Sequence, residues 1–346
     1  MICPPLTRDD VAAVIMGRAT ARRVPLFIHM WVHPESFGAR TPAVEEILAR
    51  YPQDIQFIGF GMPEMYRAPA DDPEFRWVNY ADPSLNIQGG LDAQVAIDDW
   101  ARLDGILANF PSAHSRYVIR ETPEPDGRYR LGHWWFCLFE RHWSLRGMEN
   151  ALMDYYDHPD EVHRLFQALT TFYKGLMTRG NRDLGLDGIF TSDDLGAQVG
   201  PMFSRAIFLE FFKPYYRQLI DHAHALGMHF WLHACGNIAP FLSDFVDIGL
   251  DVIHPIQKYT MDEGQIAATF GDKLCFWAGL DVQQIIPWGT PAQVRQEVRF
   301  LIDTFQRPGG RLILGAGNGI NEDCPLASLD ALFDEAITYG TSRADG

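Results

Sequence analysis

The second half of the chain repeats one pattern, a short apolar run followed by a helical segment, and this restricts the fold more than any other feature of the 346 residues. GIFTSDD (188–194) leads into a helical pattern from Ser204, with Ile207, Phe208, Phe211 and Phe212 at helical spacing and Pro214 placed to kink it. MHFWLHACG (228–236) leads to IAPFLSDFVDIG, and DVIHPIQ (251–257) leads to a short helix. LCFWAGLD (274–281) precedes a helix at Pro291, and RLILGAGNG (311–319) precedes one at Pro325. Five such units in succession predict a parallel sheet covered by helices. Thr290, Pro291 and Gln293 supply an N-cap, a first-turn proline and a capping-box partner for the stripe Val294, Val298, Leu301 and Phe305. Val162, Leu165, Phe166, Leu169, Phe172, Tyr173 and Leu176 predict another long amphipathic helix, ending at Gly180.

In the first half, VPLFIHMW (24–31) and QDIQFIGF (53–60) read as strands, whereas residues 61–132 are rich in Pro, Gly and Asp and read as an irregular insertion. The length allows two domains or one large α/β domain. No internal repeat or low-complexity linker divides the chain, so the reading is a helical extension over 1–20 and one domain over 21–341. A net charge of -16 opposes binding to nucleic acid or to an anionic membrane surface. No stretch approaches the ~20 apolar residues of a membrane helix. The N-terminus is broken by Pro4, Pro5, Asp9 and Asp10 rather than built as a secretory signal, so a cytoplasmic location is expected. Five scattered cysteines are too few for a disulfide framework and read as thiols or ligands.

The chemistry concentrates where strands end. His233 and Cys235 in HACG lie at i and i+2, one face of a strand, just before Gly236 and Asn237. Imidazole and thiolate suit zinc, whose catalytic sites take three protein ligands and keep one position open; the alternative is a packed cysteine beside a hydrogen-bonded core histidine. Cys324, after the last strand and before a helix start, is a candidate third ligand, because a helix N-terminus favours the thiolate. Asp193 and Asp194 end another run, placed to orient a substrate, act as a base or bind metal, or equally to cap a helix or brace a loop. His29, Trp31 and His33 share a face of the first strand by period two and form a candidate pocket wall; His254, Gln257 and Asp281 close two further strands. The segment 132–150 sets Trp134, Trp135, Phe136, Phe139 and Trp143 beside Glu140 and Arg146, a core that also suits a flat ligand. GAGNGI (315–320) lacks the register of a dinucleotide fingerprint, and no P-loop or GxSxG elbow is present.

FERHWSLRGMENALMDYYDHPDEVHRL, DGIFTSDDLGAQVG, the stretch from FFKPYYRQLI through LHACGN to DVIHPIQ, and WAGLDVQQIIPWGTPAQVRQEV resemble the uroporphyrinogen decarboxylase superfamily, and within it the corrinoid-linked methyltransferases. The resemblance spans roughly residues 20–340. It implies a single (β/α)8 TIM-type barrel with N-terminal insertions. It also implies a zinc site built on the pair matched by His233 and Cys235, and methyl transfer between a small substrate and the cobalt of a corrinoid (cobalamin-type cofactor) on a partner protein; monomer and homodimer both stay open. The later cysteine ligand of the thiol-methylating members falls near Asn318 here, which leaves three alternatives: Cys324, six positions on, completes the site, Asp194 completes it, or the metal is absent. That departure favours the demethylase-like members, which take methyl groups from methoxylated donors. The decarboxylases grip a polyanionic porphyrin precursor with N-terminal arginines, which PLFIHMWVHPESFG lacks. Tetrapyrrole decarboxylation therefore ranks second, and a non-catalytic corrinoid- or tetrapyrrole-binding barrel third.

Overall fold

The computed structural model describes residues 3–79 and 95–342. Its seven strands are β1 (Ile55–Gly59), β2 (Tyr129–Trp134), β3 (Gly188–Ser192), β4 (His229–His233), β5 (Val252–His254), β6 (Cys275–Leu280) and β7 (Leu312–Ala316). They form one sheet in chain order, with every neighbouring pair parallel. Sequential order in a parallel sheet requires a crossover after each strand. α1 (Arg8–Ile15) and α2 (Thr41–Arg50) precede β1, α3 (Leu103–Ala108) lies between β1 and β2, and α4 (Phe139–Arg146), α5 (Met148–Asp157) and α6 (Pro159–Leu184) lie between β2 and β3. After it come α7 (Arg205–Ile207), α8 (Lys213–Ala225), α9 (Ala239–Asp247), α10 (Glu263–Phe270), α11 (Ile285–Trp288), α12 (Pro291–Phe305) and α13 (Leu326–Ser342). The five strand-helix units expected after residue 188 are all present. The architecture is α/β with a curled, TIM-like parallel sheet. No helix among the described residues is long and apolar enough to cross a membrane.

The segment expected as the first strand departs from that reading. Residues 25–27 run beside β7 through two main-chain bonds, Phe27 N to Leu314 O (2.8 Å) and Leu314 N to Pro25 O (2.9 Å), and count only as isolated bridges. Pro25 has no N–H to extend the ladder, and the chain tightens at once into a 3₁₀ turn over His29–Trp31. His29, Trp31 and His33 therefore do not share a face. The irregular region ends sooner than expected, since β2 begins at Tyr129; residues 80–94 of it lie outside the described residues.

The helix expected to stop at Gly180 continues to Leu184 and ends at Gly185 in the left-handed conformation. Gly180 serves close packing instead: a Cβ there would lie 2.6 Å from Leu186 and Phe60. The kink expected at Pro214 appears as a π-helical turn over Phe208–Phe212, which absorbs the missing N–H. The helix at Pro291 carries the capping box between Thr290 and Gln293, of a kind that contributes about 1 kcal/mol.

Rings fill the space enclosed by the sheet. Phe27 stacks on Trp277 (centroids 4.5 Å) and meets Phe57 edge-on (5.3 Å), while Phe190 and Trp231 meet Trp277 at 5.5 and 5.9 Å. The interior is a packed core, and functional groups are left to the strand ends.

Candidate metal centre at the strand ends

Register brings three strand ends to one level: Ser192 on β3 pairs with His233 on β4, which pairs with His254 on β5. Asp194 lies two residues past β3, and Cys235 two residues past β4. The loops that carry them are tied by Gly196 N to Cys235 O (3.1 Å) and Asn237 N to Ala197 O (2.8 Å). Gly236 makes this approach possible. Its φ is +80°, and a Cβ there would lie 2.2 Å from the Gly196 backbone.

The result is a cluster in which Asp194, His233 and Cys235 each offer one donor atom within 4.8 Å of the others. His233 Nε2 lies 3.2 Å from Cys235 Sγ and 3.4 Å from Asp194 Oδ1. Cys235 N also donates to Asp194 Oδ1 (2.8 Å), which fixes the carboxylate. Burial alone would lower the His233 basicity, but Cys235 and Asp194 outweigh it and hold the imidazole up to about 10. Burial pushes the Asp194 carboxyl up, and its bonds with His233 and Cys235 overcome this to leave it below the usual range.

The other residues singled out from sequence divide sharply. Asn318 stands beside the cluster, with Nδ2 3.8 Å from Cys235 Sγ. Gln257 braces it by accepting from Gly236 N (2.6 Å). Asp281, Gln257, Asn318 and Cys235 line a cavity of about 60 Å³. Asp281 itself is committed: it accepts from Gln283 N, Gln284 N and Tyr259 OH. Trp31 and the part-exposed Trp135 flank His233 with centroids at 5.5 and 6.5 Å. His254 is fully buried behind His233. His33 is at the rim beside Gly319, whereas His29 points away, bonding Leu48 O and packing on Phe333.

Four of the residues singled out from sequence have structural partners, and for Asp193 and Trp143 the bracing and core readings are the ones observed. Cys324 is not part of the cluster; its thiol contacts Pro325 O in its own turn, and burial pushes it up to about 12 instead of the helix start lowering it. Arg146 pairs bidentately with Asp154 and is not free for a ligand. Trp143 packs against Phe139 as part of the helix core. Asp193 is a clamp: it accepts from the backbone N–H of Leu138, Phe139 and Glu140 and from Tyr216 OH. It thereby satisfies the orphan donors at the start of α4.

Residues 143–339 match the uroporphyrinogen decarboxylase (URO-D) family. The chain belongs to that family. Among solved structures, a methyltransferase from Methanosarcina mazei shares the fold at a TM-score of 0.63 and 14% identity, over 96% of this chain and 99% of that one. An endo-beta-1,4-xylanase from Gloeophyllum trabeum aligns more distantly, at a TM-score of 0.46 and 10% identity over 93% of this chain and 99% of that one. No curated protein sequence matches the chain.

This URO-D-family site also contains a group that sequence reading places only in an aromatic stretch. Glu140, at the start of α4, accepts from Ser192 Oγ (2.5 Å) and is almost wholly buried. Burial, then the charges of Asp194 and Asp193, push its carboxyl up to about 8, so it is neutral at pH 7 beside an ionised cluster. Its only sequence signal is an acidic residue inside an apolar helix start.

Proposed function

We propose that the chain transfers a methyl group from a small oxygen-linked donor, such as a methoxylated compound, to a corrinoid presented by a separate protein, using zinc held by Asp194, His233 and Cys235. The observation that carries this reading is the convergence of one oxygen, one nitrogen and one sulfur donor at adjacent strand ends. Zinc bonds of 2.0–2.3 Å in tetrahedral array set donors about 3.4–3.6 Å apart. The separations of 3.2 and 3.4 Å are close to that span. Two anionic ligands and one neutral imidazole also balance a divalent charge.

Zinc at this site would polarise the heteroatom that carries the methyl group, a Lewis-acid role. The chain's own residues do the rest. Asp194 in place of a second thiolate makes the donor set harder, which favours an oxygen substrate atom over sulfur. Glu140 holds a proton next to Asp194 at neutral pH, available to the departing oxygen. Trp31 and Trp135 give an apolar wall for the rest of the donor. The cavity of about 60 Å³ suits the methyl-bearing head of the donor. Val199 and Tyr259, on segments that follow β3 and β5, and Trp288, at the end of α11 after β6, expose apolar surface where a partner carrying the corrinoid would dock. Tetrapyrrole decarboxylation is less well supported, because Arg23 is buried against Asp54 and Arg40 is spent on the carbonyls of Glu322 and Cys324.

The test is anaerobic incubation of the zinc-loaded protein with a panel of methoxylated compounds and reduced corrinoid. Corrinoid methylation matched by demethylated product is expected, with a rate that falls as pH rises through about 8 and Glu140 loses its proton. Glu140→Gln should flatten that limb and slow turnover by about 10²-fold. Carbon dioxide release from uroporphyrinogen without corrinoid would replace the proposal with decarboxylation.

A further inference from the structure

His254 uses both ring nitrogens inside the protein. Its Nε2 lies 2.8 Å from the carbonyl oxygen of Ala316, and its Nδ1 lies 2.7 Å from the Nδ1 of His233. A carbonyl oxygen can only accept, so the first contact requires the proton on Nε2. The second contact then has one proton to share. Neutral His254 has a lone pair at Nδ1, so His233 is the donor.

The ring is held against rotation. It stacks on Trp31 at 4.9 Å and 9°, and it packs on Trp277 at 4.1 Å. It is fully buried, and among the described residues no carboxylate hydrogen-bonds to it.

We infer that His254 is a positioning residue for the metal centre, holding a proton on His233 Nδ1 so that Nε2, which faces Asp194 and Cys235, is the nitrogen that gives up its proton to a metal. This rests on the metal reading of that cluster. A metal-binding histidine ordinarily donates its second N–H to a carboxylate, a backbone carbonyl or water. Here a second histidine stands between the ligand and the Ala316 carbonyl. The chain Ala316 O, His254, His233 carries tautomer information from the end of β7 to the ligand on β4 through one buried ring. Because that acceptor is neutral, it orients His233 without adding a further negative charge behind the site.

His254→Gln and His254→Phe separate this role from simple packing. A glutamine amide can accept from His233 Nδ1–H and donate to Ala316 O, whereas phenylalanine keeps the ring's bulk and can do neither. Zinc affinity, measured by competition with a chromophoric chelator, should fall about 10–100-fold in His254→Phe and stay within about threefold of the parent in His254→Gln. In the unsubstituted, ¹⁵N-labelled protein, a nitrogen–nitrogen coupling across the hydrogen bond should connect the two Nδ1 atoms. Undiminished zinc affinity in His254→Phe would overturn the inference. If the parent protein binds no zinc, the metal reading fails on its own account. The coupling then decides for the relay, its presence upholding the hydrogen bond from His233 Nδ1–H to His254 and its absence overturning it.

Discussion

Cys235→Ala is expected to leave a folded protein that no longer retains zinc. Four-ligand zinc sites bind with apparent free energies of about 10–16 kcal/mol, so one protein ligand accounts for roughly 3 kcal/mol, or a loss of at least about 100-fold in affinity. The fold should tolerate the change, because Cys235 is part-exposed, its sulfur meets His233 and Asn318, and its backbone bonds with Asp194 and Gly196 do not depend on the side chain. Cys324→Ala, by contrast, should leave zinc content unchanged, since that thiol lies outside the cluster. Metal analysis after dialysis against a weak chelator reads both variants. A Cys235→Ala protein that keeps one zinc per chain would contradict the assignment of the ligands.

Asp193→Ala should act on stability instead of metal content. Its carboxylate accepts four hydrogen bonds in a buried setting, three from the start of α4 and one from Tyr216. Removing the acceptor orphans all four donors. Breaking a buried charged network of this kind costs about 3–5 kcal/mol. For a chain of this length, that corresponds to a fall in Tm of about 5 °C. Asp193→Ala with an unchanged Tm and no turnover would instead give this aspartate a direct catalytic role.

The two adjacent aspartates show where sequence reading reaches its limit. Both end the same apolar run, and nothing in the run distinguishes a clamp from a ligand. The difference lies in α4, which packs its N-terminus over Asp193, and in the Gly196–Gly236 contact, which sets Asp194 beside Cys235. Both are long-range facts. His233 and Cys235 were legible because two residues of a strand end bring them together locally, although β4 stops at His233 and the loop carries Cys235. The capping box at Thr290 was legible for the same reason.

Other parts of the site depend on departures from regular structure. Trp31 reaches His254 because residues 29–31 coil into a 3₁₀ turn instead of continuing a strand, and alternation cannot foresee that. The role of His254 depends on which atoms meet its two nitrogens, information that resides in β4 and β7 rather than in DVIHPIQ. Cys324 was a reasonable third ligand by chain position, but its side chain is turned into the core, where burial raises the thiol.

The central claim is that Asp194, His233 and Cys235 together hold one zinc, and zinc K-edge X-ray absorption on the metal-loaded protein tests it most directly. The account predicts a first shell of one sulfur at about 2.3 Å with nitrogen and oxygen neighbours at about 2.0–2.2 Å. That sulfur contribution should be lost in Cys235→Ala. Two sulfur neighbours, or a shell of oxygen and nitrogen alone in the parent protein, would contradict it.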